Sequence, residues 1–502
     1  MPLAAGVMLT SRLVAGVFVL SVVAFVVRAT TPFVIADDWF YVAKLIVPWK
    51  QGRLKLADFF ISRGPTDHVQ PLYRLILLVQ TAWFHMDFTF EAIVGVAFAM
   101  ACVYLWYRLA RHELAKNPRA AIATHLIGLG MVAVIFSLNA RGVFDWPLVA
   151  LAFIGIFAVS VLLAATLTLA ERTKAPTIAS LSGLTLLVFL VDDTYGILAV
   201  TCAATLLALM GIRRQIAPRA WISAVAAMVA VMVGYVVICH DLFPYVGKAN
   251  PGPGIAPMLE FLKGHWREGF KLIVIPAGTP IATPQRLVQI FKASQSSLPW
   301  ILGCLALPVC VANVWFWVNY LRRRPSPLSF TAAGLMLFFY MSLAAIVVAR
   351  LPRFGFDYLN QGRYMQVYEL QLIAVLMMSA QVFSERPDTP VGEKVLVVAV
   401  LALAGLTGIY AILVHREVPY IQSYQKRIAA QIEQFGSDPG SPPENCMANY
   451  VTPCANWSRE ARFEVFKVLE QGPYNVFSPT FRRWHRRQVP QAMASPDSPG
   501  PR

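Results

Sequence analysis

Charged residues are scarce in this sequence. Only 14% of its 502 residues are Asp, Glu, Lys or Arg, whereas soluble domains carry roughly 25%. Cysteine is also rare, and seven residues spread along the chain exclude a small fold held together by disulfides. Hydrophobic residues make up 57% of the chain, with a mean hydropathy of +0.58. This composition excludes an ordinary soluble enzyme and a disordered protein, and it predicts an all-α membrane protein with many spans.

The net charge of +16 raises the question of nucleic-acid binding. The Lys and Arg residues lie mostly in short loops between apolar runs, which is typical of a topology signal. We therefore expect membrane lipids among the partners of this protein, and no nucleic acid.

Eleven apolar runs predict eleven transmembrane helices, since a bilayer core takes about 20 residues per helix. The first run lacks a convincing small-residue cleavage site, so we expect it to stay as an anchor helix. The runs are Leu13–Val27, Phe88–Tyr107, Ala121–Phe136, Pro147–Ala170, Thr177–Val191, Tyr195–Ile212, Trp221–Cys239, Pro299–Tyr320, Phe330–Val348, Gln366–Phe383 and Val395–Val414.

A twelfth run, Pro71–Phe84, decides the sidedness. If it crossed the membrane, the basic loop Arg108–Arg119 would lie outside, against the usual charge distribution. If it lies flat on the surface, every basic loop falls inside. We therefore predict an interfacial helix here, with an inside N-terminus and an outside C-terminus.

The predicted organisation is a transmembrane module, residues 1–414, with outer loops at 28–87 and 240–298, followed by a small outer tail, 415–502. The tail contains Cys446 and Cys454, which an oxidising compartment can join as a disulfide; two free thiols are the alternative. Beyond residue 495 the tail is rich in Pro and Ser, so we expect disorder there.

Ionisable residues are nearly absent from the middle of the predicted spans, where channels and ion-coupled transporters commonly place them. The spans hold His125, Glu91 and Glu369, and both glutamates lie near outer ends. Other acidic residues gather at the same ends, which favours chemistry at the outer membrane surface over passage through the membrane. They are Asp37, Asp38, Asp145, Asp192 and Asp193.

The first outer loop contains Ile35-Ala36-Asp37-Asp38-Trp39-Phe40-Tyr41. Two carboxylates this close repel each other, so one of them can have a raised pKa. Either could act as a general base toward a hydroxyl, or both could hold a cation. The alternative is that Asp37 or Asp38 caps the N-terminus of a surface helix, Trp39–Trp49.

The same loop continues as Asp67-His68-Val69-Gln70-Pro71-Leu72-Tyr73. Pro71 suits the first position of a helix. His68 is either a structural residue at the interface or a metal ligand.

Three arginines, Arg350, Arg353 and Arg363, lie in a short outer loop, against the expected charge distribution. A guanidinium group can grip a phosphate with two hydrogen bonds. Pairing with lipid headgroups or with the acidic residues is the alternative.

The order of these features resembles the first segment of GT-C superfamily glycosyltransferases, in particular the aminoarabinose transferase and protein mannosyltransferase group. The acidic pair Asp37-Asp38 follows the first span, and Gln70-Pro71-Leu72-Tyr73 stands where the family has a Pro-Pro-Leu-Tyr-type helix start. Gly362-Arg363-Tyr364 lies at the outer start of a late span, as an Arg-Tyr pair does in many bacterial members. The resemblance covers roughly residues 13–110 and 350–383.

The resemblance implies an inverting glycosyltransferase in the bacterial inner membrane, with its active site facing the periplasm. A polyprenyl-phosphate-linked donor would give its sugar to a glycan, lipid or protein acceptor. Asp37 and Asp38 would be catalytic, and a divalent metal ion is an open cofactor assignment, with His68 and Asp38 as candidate ligands. The resemblance also implies five substrate-binding residues: His68, Tyr73, Arg353, Arg363 and Tyr364.

Two other classes of function stay open at this point. One is a transporter or flippase for lipid-linked glycans, which is expected to place charges between its central helices. The other is a non-catalytic assembly subunit, for which changes at Asp37 or Asp38 have no effect. Within the transferase class, a polymerase or ligase acting on lipid-linked oligosaccharides is a further variant.

Overall fold

The computed structural model describes residues 2–62, 68–117, 120–172, 174–242, 254–294, 296–385, 390–440 and 458–486. All regular secondary structure in these residues is helical, and ten helices are long and apolar enough to cross a membrane. An eleventh apolar helix has 17 residues. The predicted all-α multi-pass membrane protein is therefore confirmed. The apolar helices are α1 (Pro2–Ala29), α2 (Thr89–Leu114), α3 (Ala121–Ile135), α4 (Ala152–Arg172), α5 (Ala175–Val191), α6 (Asp193–Ile212), α7 (Pro218–Leu242), α8 (Leu298–Arg322), α9 (Pro327–Phe354), α10 (Met365–Glu385) and α11 (Pro390–Ser437).

Hydrogen bonds between loops sort the helix ends into two groups. In one group the Asn117 amide donates to the Phe383 carbonyl at 3.1 Å, and in the other the Thr31 N–H donates to the Asp145 carbonyl at 2.8 Å. We call the second group the site end and the first the opposite end. The site end contains the described residues 28–62, 68–88, 136–147, 191–193, 254–294, 296–298, 355–364 and 415–440. The opposite end contains the described residues 114–117, 120–121, 172, 174, 212–218, 322–327, 385 and 390.

The short helix α5 also runs from one end to the other. The preceding span begins at Pro147, at the site end, and reaches the opposite end at Arg172. Helix α5 then returns over about 25 Å, from its 17 residues at 1.5 Å each. The next residue, Asp192, contacts His68 at the site end. Eleven apolar helices thus run between the two ends in the described residues, and ten of them are long enough to cross a membrane.

The twelfth apolar run forms the helix Pro71–Trp83, which begins and ends at the site end. His68 precedes this helix and contacts Asp192. Met86 follows it, and its carbonyl accepts a hydrogen bond from the Asn475 side chain at 2.6 Å. With 13 residues, about 20 Å, it is also too short for a bilayer core of about 30 Å. The helix therefore does not run from one end of the molecule to the other, and its position at the membrane surface stays a prediction.

Helix α11 has 48 residues and continues without a break past the predicted domain boundary at residue 414. Glu417 forms ion pairs with Arg141 and Arg286, the latter at 2.8 Å, and these hold the helix to the site-end loops. The helix then runs on to Ser437. The transmembrane module and the start of the tail therefore share one helix.

The tail packs over the loop that carries the first acidic pair. The rings of Trp39 and Phe466 lie 5.6 Å apart, and Trp39 is fully buried. The Asn475 amide donates to the carbonyls of Pro32 and Met86, at 3.0 and 2.6 Å. Two predictions for the tail, the Cys446–Cys454 disulfide and the disorder after residue 495, lie outside the described residues.

Short helices complete the site end. The predicted surface helix Trp39–Trp49 is present as a continuous helical run whose middle, Val42–Ile46, is π-helical. The short helices are Asp38–Tyr41, Val42–Ile46, Val47–Lys50, Leu56–Phe60, Leu138–Ala140, Gly142–Asp145, Pro147–Ala150, Ile255–Gly264, Trp266–Glu268, Lys271–Gly278, Pro284–Phe291, Phe356–Asn360, Gly362–Tyr364, Arg459–Gln471, Asn475–Phe477 and Pro479–Arg486.

Candidate functional site

A cavity of about 280 Å³ lies at the site end, among α4, α6, α9 and α10. One part of its wall is polar and charged, and the other is apolar, so its shape and chemistry suit an amphiphilic ligand. The polar lining is His68, Gln70, Tyr73, Asp192, Thr194, Ser342, Arg350, Arg363, Tyr364 and Gln366, and the apolar lining is Leu148, Val149, Ala152, Tyr195, Leu198, Ala345, Ile346, Ala349 and Val367.

Asp192 is the junction between α5 and α6, and its side chain lies in the polar wall. Its backbone is extended, with φ −161° and ψ 119°, and its side chain caps α6 by accepting from the Tyr195 N–H at 3.0 Å. The same carboxylate contacts His68 Nδ1 at 3.1 Å and accepts from Gln70 Nε2 at 2.8 Å. Only 3% of Asp192 is exposed, so three partners fix this buried carboxylate in position.

Asp193 ties the chain segment before Pro71 to the same junction. Its carboxylate accepts from the Val69 N–H at 3.1 Å and from the Thr194 N–H at 2.7 Å. In return, the Asp193 N–H donates to the Val69 carbonyl at 3.2 Å. These bonds explain why His68 faces Asp192, although 124 residues separate the two in sequence.

Ligand atoms of His68, Asp192 and Asp193 all lie within 4.8 Å of one another. One imidazole and two carboxylates form a donor set that suits zinc and related transition metals. The sequence instead suggested Asp38 beside His68 as a candidate ligand. In the described part of the chain, Asp38 is not a member of this cluster.

Two arginines line the cavity, and in the described residues neither has an acidic partner. Arg363 donates through Nη2 to the Tyr358 hydroxyl, and its guanidinium carbon lies 5.3 Å from the centres of the Tyr358 and Tyr364 rings. Arg350 lines the same cavity. Neither forms an ion pair with a carboxylate among the residues that the structure describes. Two arginines without a carboxylate partner in one cavity are typical of a site for an anion.

Arg353 differs from its two neighbours in the sequence. It is exposed and does not belong to the lining of the cavity. Its predicted role in substrate binding therefore lacks the geometric support that the structure gives to Arg363.

Tyr73 and Gln366 hold the helix break at the inner wall of the cavity. The span that contains α4 breaks after the short helix Pro147–Ala150, which frees backbone carbonyls. Tyr73 donates to the Leu151 carbonyl at 2.8 Å, and Gln366 donates to the Val149 carbonyl at 2.7 Å. Burial, together with the charge of Asp192, raises the pKa of Tyr73 well above its usual value. The hydroxyl therefore stays a donor at neutral pH.

The first acidic pair lies in a different environment. Asp37 occupies the N-cap position of Asp38–Tyr41, but its side chain makes no capping hydrogen bond there. Asp38 is only 3% exposed, and it interacts electrostatically with Glu91, as does Arg74. Arg74 is itself 2% exposed and stacks on the Tyr41 ring at 3.3 Å. We call Asp38, Arg74 and Glu91 the buried acid cluster.

The cavity and the buried acid cluster adjoin through one helix, Pro71–Trp83. Tyr73 faces the cavity, and the next residue, Arg74, belongs to the cluster. Neither Asp37 nor Asp38 lines the cavity. The structure thus gathers four of the predicted residues in one place and leaves Asp37, Asp38 and Arg353 outside it. The four are His68, Tyr73, Arg363 and Tyr364.

Sequence reasoning did not assign a role to Asp192 or Asp193. The signal was present as a second Asp-Asp pair between two apolar runs, at the end where the other acids gather. It showed the sidedness of the pair, but not its contact with His68.

No family model, curated protein or solved structure matches this chain. The chain is an all-helical, multi-pass membrane protein. The resemblance to glycosyltransferases that the sequence motifs suggested therefore stays a prediction.

Proposed function

We propose that this protein transfers a sugar from a polyprenyl-phosphate-linked donor to a hydroxyl acceptor in the site-end cavity. The observation that carries the proposal is that His68, Arg350 and Arg363 line one partly apolar cavity. The Asp192 carboxylate fixes His68 in position there. A base and an anion site in one cavity are what such a transfer needs.

The two arginines are suited to hold the donor phosphate. Each guanidinium can make two hydrogen bonds to phosphate oxygens. The phosphate gains negative charge as the bond from its oxygen to the anomeric carbon breaks, and fixed positive charges stabilise that change. The apolar wall, with Leu198 and Ile346, would take the first units of the prenyl chain.

The acceptor oxygen attacks the anomeric carbon from the face opposite the phosphate, which inverts the configuration. Its proton passes to a base, a new bond joins oxygen to the anomeric carbon, and polyprenyl phosphate leaves. We assign the base to His68, because it lines the cavity and its side chain is 40% exposed. With Nδ1 donating to Asp192, the neutral ring carries its basic lone pair on Nε2. Asp37 and Asp38, implied by the family resemblance, are the rival bases.

As an alternative to a role of His68 as the base, the donor set of His68, Asp192 and Asp193 fits a divalent ion. A bound ion would supply positive charge next to the phosphate and the acceptor. A chelator, followed by zinc or manganese, tests this fit: readdition should raise the melting temperature of the protein, but not that of Asp193→Asn. Equal melting temperatures with and without metal would remove the ion from the proposal.

The proposed function is tested with purified protein in nanodiscs. Synthetic polyprenyl-phosphate sugars are supplied with a crude acceptor extract, and release of polyprenyl phosphate is measured by chromatography. Wild-type protein should release it with at least one sugar of the panel, and Arg350→Gln/Arg363→Gln should not. A matched control is Arg416→Gln, an exposed arginine of α11 at the same end, which should behave as wild type.

A second arm separates transfer from transport. Proteoliposomes with a fluorescent polyprenyl phosphate report movement of the lipid between leaflets. The proposal predicts no faster movement than in protein-free liposomes. Rapid movement without release of polyprenyl phosphate would overturn the proposal and identify a flippase.

A further inference from the structure

A second concave region lies at the opposite end, between α1, α2 and α3. It consists of two adjoining cavities of about 340 and 290 Å³. Both are lined by Arg12, Tyr107, Arg111 and His125. We call this region the opposite-end groove.

The mouth of the groove is cationic. Arg12 and Arg111 are exposed, His125 interacts electrostatically with both, and no carboxylate is among the described residues that line the two cavities. In the described residues, neither arginine is ion-paired. Two guanidinium groups around one opening suit a phosphate ester.

The depth of the groove is apolar. From Arg12 it follows α1 to Val19, and from His125 it follows α3 to Val132, a rise of about 10 Å along each helix. Met100 contributes to the wall from α2. A small soluble anion would use only the mouth, whereas a lipid would use both the charge and the apolar depth.

We propose that the opposite-end groove binds one anionic membrane phospholipid. Its phosphate lies between Arg12 and Arg111, and an acyl chain lies in the apolar depth. Basic pockets between transmembrane helices on the cytoplasmic side commonly bind anionic headgroups, and the charge distribution of the loops predicts that this end is cytoplasmic. The inference is independent of the function proposed for the site end.

Native mass spectrometry of the full chain in detergent tests the proposal. Phosphatidylglycerol and phosphatidylethanolamine with identical acyl chains are titrated separately. We expect one tight phosphatidylglycerol adduct, with affinity about tenfold higher than that of phosphatidylethanolamine. Glycerol phosphate in equimolar amount should not displace it, since it lacks acyl chains.

Two variants test the two parts of the groove. Arg12→Gln/Arg111→Gln should lose about tenfold in phosphatidylglycerol affinity, and Ala15→Phe should weaken binding by filling the apolar wall. The matched control is Arg108→Gln, an exposed arginine of α2 one turn before Arg111 and outside the lining, which should bind as wild type.

Equal binding of the two lipids, or an unchanged adduct in the double variant, would overturn the proposal. Displacement by glycerol phosphate would show a site for a soluble anion and would also overturn it. If the double variant fails to fold, as judged by its melting temperature, Ala15→Phe decides the question.

Discussion

Two Asp-Asp pairs lie at the site end, and they differ in almost every physical respect. Asp37 and Asp38 follow α1, and Asp38 belongs to the buried acid cluster under the tail. Asp192 and Asp193 separate α5 from α6, and they fix His68 at the wall of the cavity. In the described residues, the second pair shares a cavity with two arginines, Arg350 and Arg363, and the first pair does not line that cavity.

The comparison shows that an Asp-Asp pair that follows an apolar helix does not necessarily line a cavity. Asp192 caps its helix through the side chain, whereas Asp37 holds the cap position without that bond. Asp38 is buried and interacts with Glu91, which also interacts with the buried Arg74, and this burial suits a structural role. The resemblance favours the first pair as catalytic, and the geometry of the cavity favours the residues around the second.

The largest effect is expected from breaking the buried acid cluster. Arg74→Met keeps the volume near that of arginine but removes the buried positive charge that interacts with Glu91 and stacks on the Tyr41 ring. Loss of one partner from a buried charge cluster costs roughly 3–5 kcal/mol. A strongly lowered melting temperature in detergent is the expected result. As a control, Arg350→Met removes a cavity arginine without a carboxylate partner and should melt nearly normally.

A normal melting temperature for Arg74→Met would show that the cluster is not structural. A catalytic role for Asp38 as the general base would then gain support, despite its burial.

The second prediction compares the two bases directly. His68→Gln keeps a polar side chain but removes the basic nitrogen, and the transfer rate should fall by about 100-fold or more. Asp37→Asn and Asp38→Asn keep the size of the side chain and remove its basicity. If His68 is the base, both Asn variants should transfer at rates close to wild type.

The opposite pattern would assign the general base to Asp37 or Asp38 instead of His68. A loss of about 100-fold in Asp37→Asn or Asp38→Asn, with normal melting and an active His68→Gln, contradicts the assignment of His68. Full activity in all three variants would remove acid–base catalysis by either group.

Hydropathy and loop charge predicted the apolar helices and the separate short helix Pro71–Trp83, because these properties depend on local composition. They could not show that His68 meets Asp192, because that contact joins residues 124 positions apart. Arg350 and Arg353 look equivalent in sequence. They differ in the structure because three residues turn the side chain about 60° around α9 and carry it to the exposed end.

The third prediction tests the anion site beside the second pair. Arg363→Lys keeps the charge but loses the planar two-pronged grip. The apparent affinity for the polyprenyl-phosphate donor should fall by about tenfold, with little change in melting temperature. The measurement is the transfer rate at limiting and at saturating donor.

Arg353→Gln gives a second reading in the same assay. Its exposed position outside the cavity predicts a smaller loss than that of Arg363→Lys. A larger loss would place the donor phosphate farther from His68 and weaken the cavity as the active site.

The smallest effect concerns Asp145, an acid that belongs to neither pair. Burial raises the pKa of Asp145 from 3.8 to about 6, although Arg141 and a hydrogen bond from Thr31 lower it. The folded state therefore binds the proton more tightly than the unfolded state. It follows that the free energy of unfolding decreases as the pH rises from about 4 to 6, and this contribution is constant above that range. Asp145→Asn should remove this part of the pH dependence.

Melting temperatures measured between pH 4 and pH 7 check the prediction. Asp357→Asn is the matched control, since Asp357 is an exposed acid at the same end, and its profile should follow that of wild type. The expected difference is a few degrees at pH 7, where Asp145→Asn should be the more stable protein. If the profiles of wild type and Asp145→Asn are parallel, Asp145 is more hydrated than its burial indicates. The low-dielectric environment at the site end would then be confined to the cavity and the buried acid cluster.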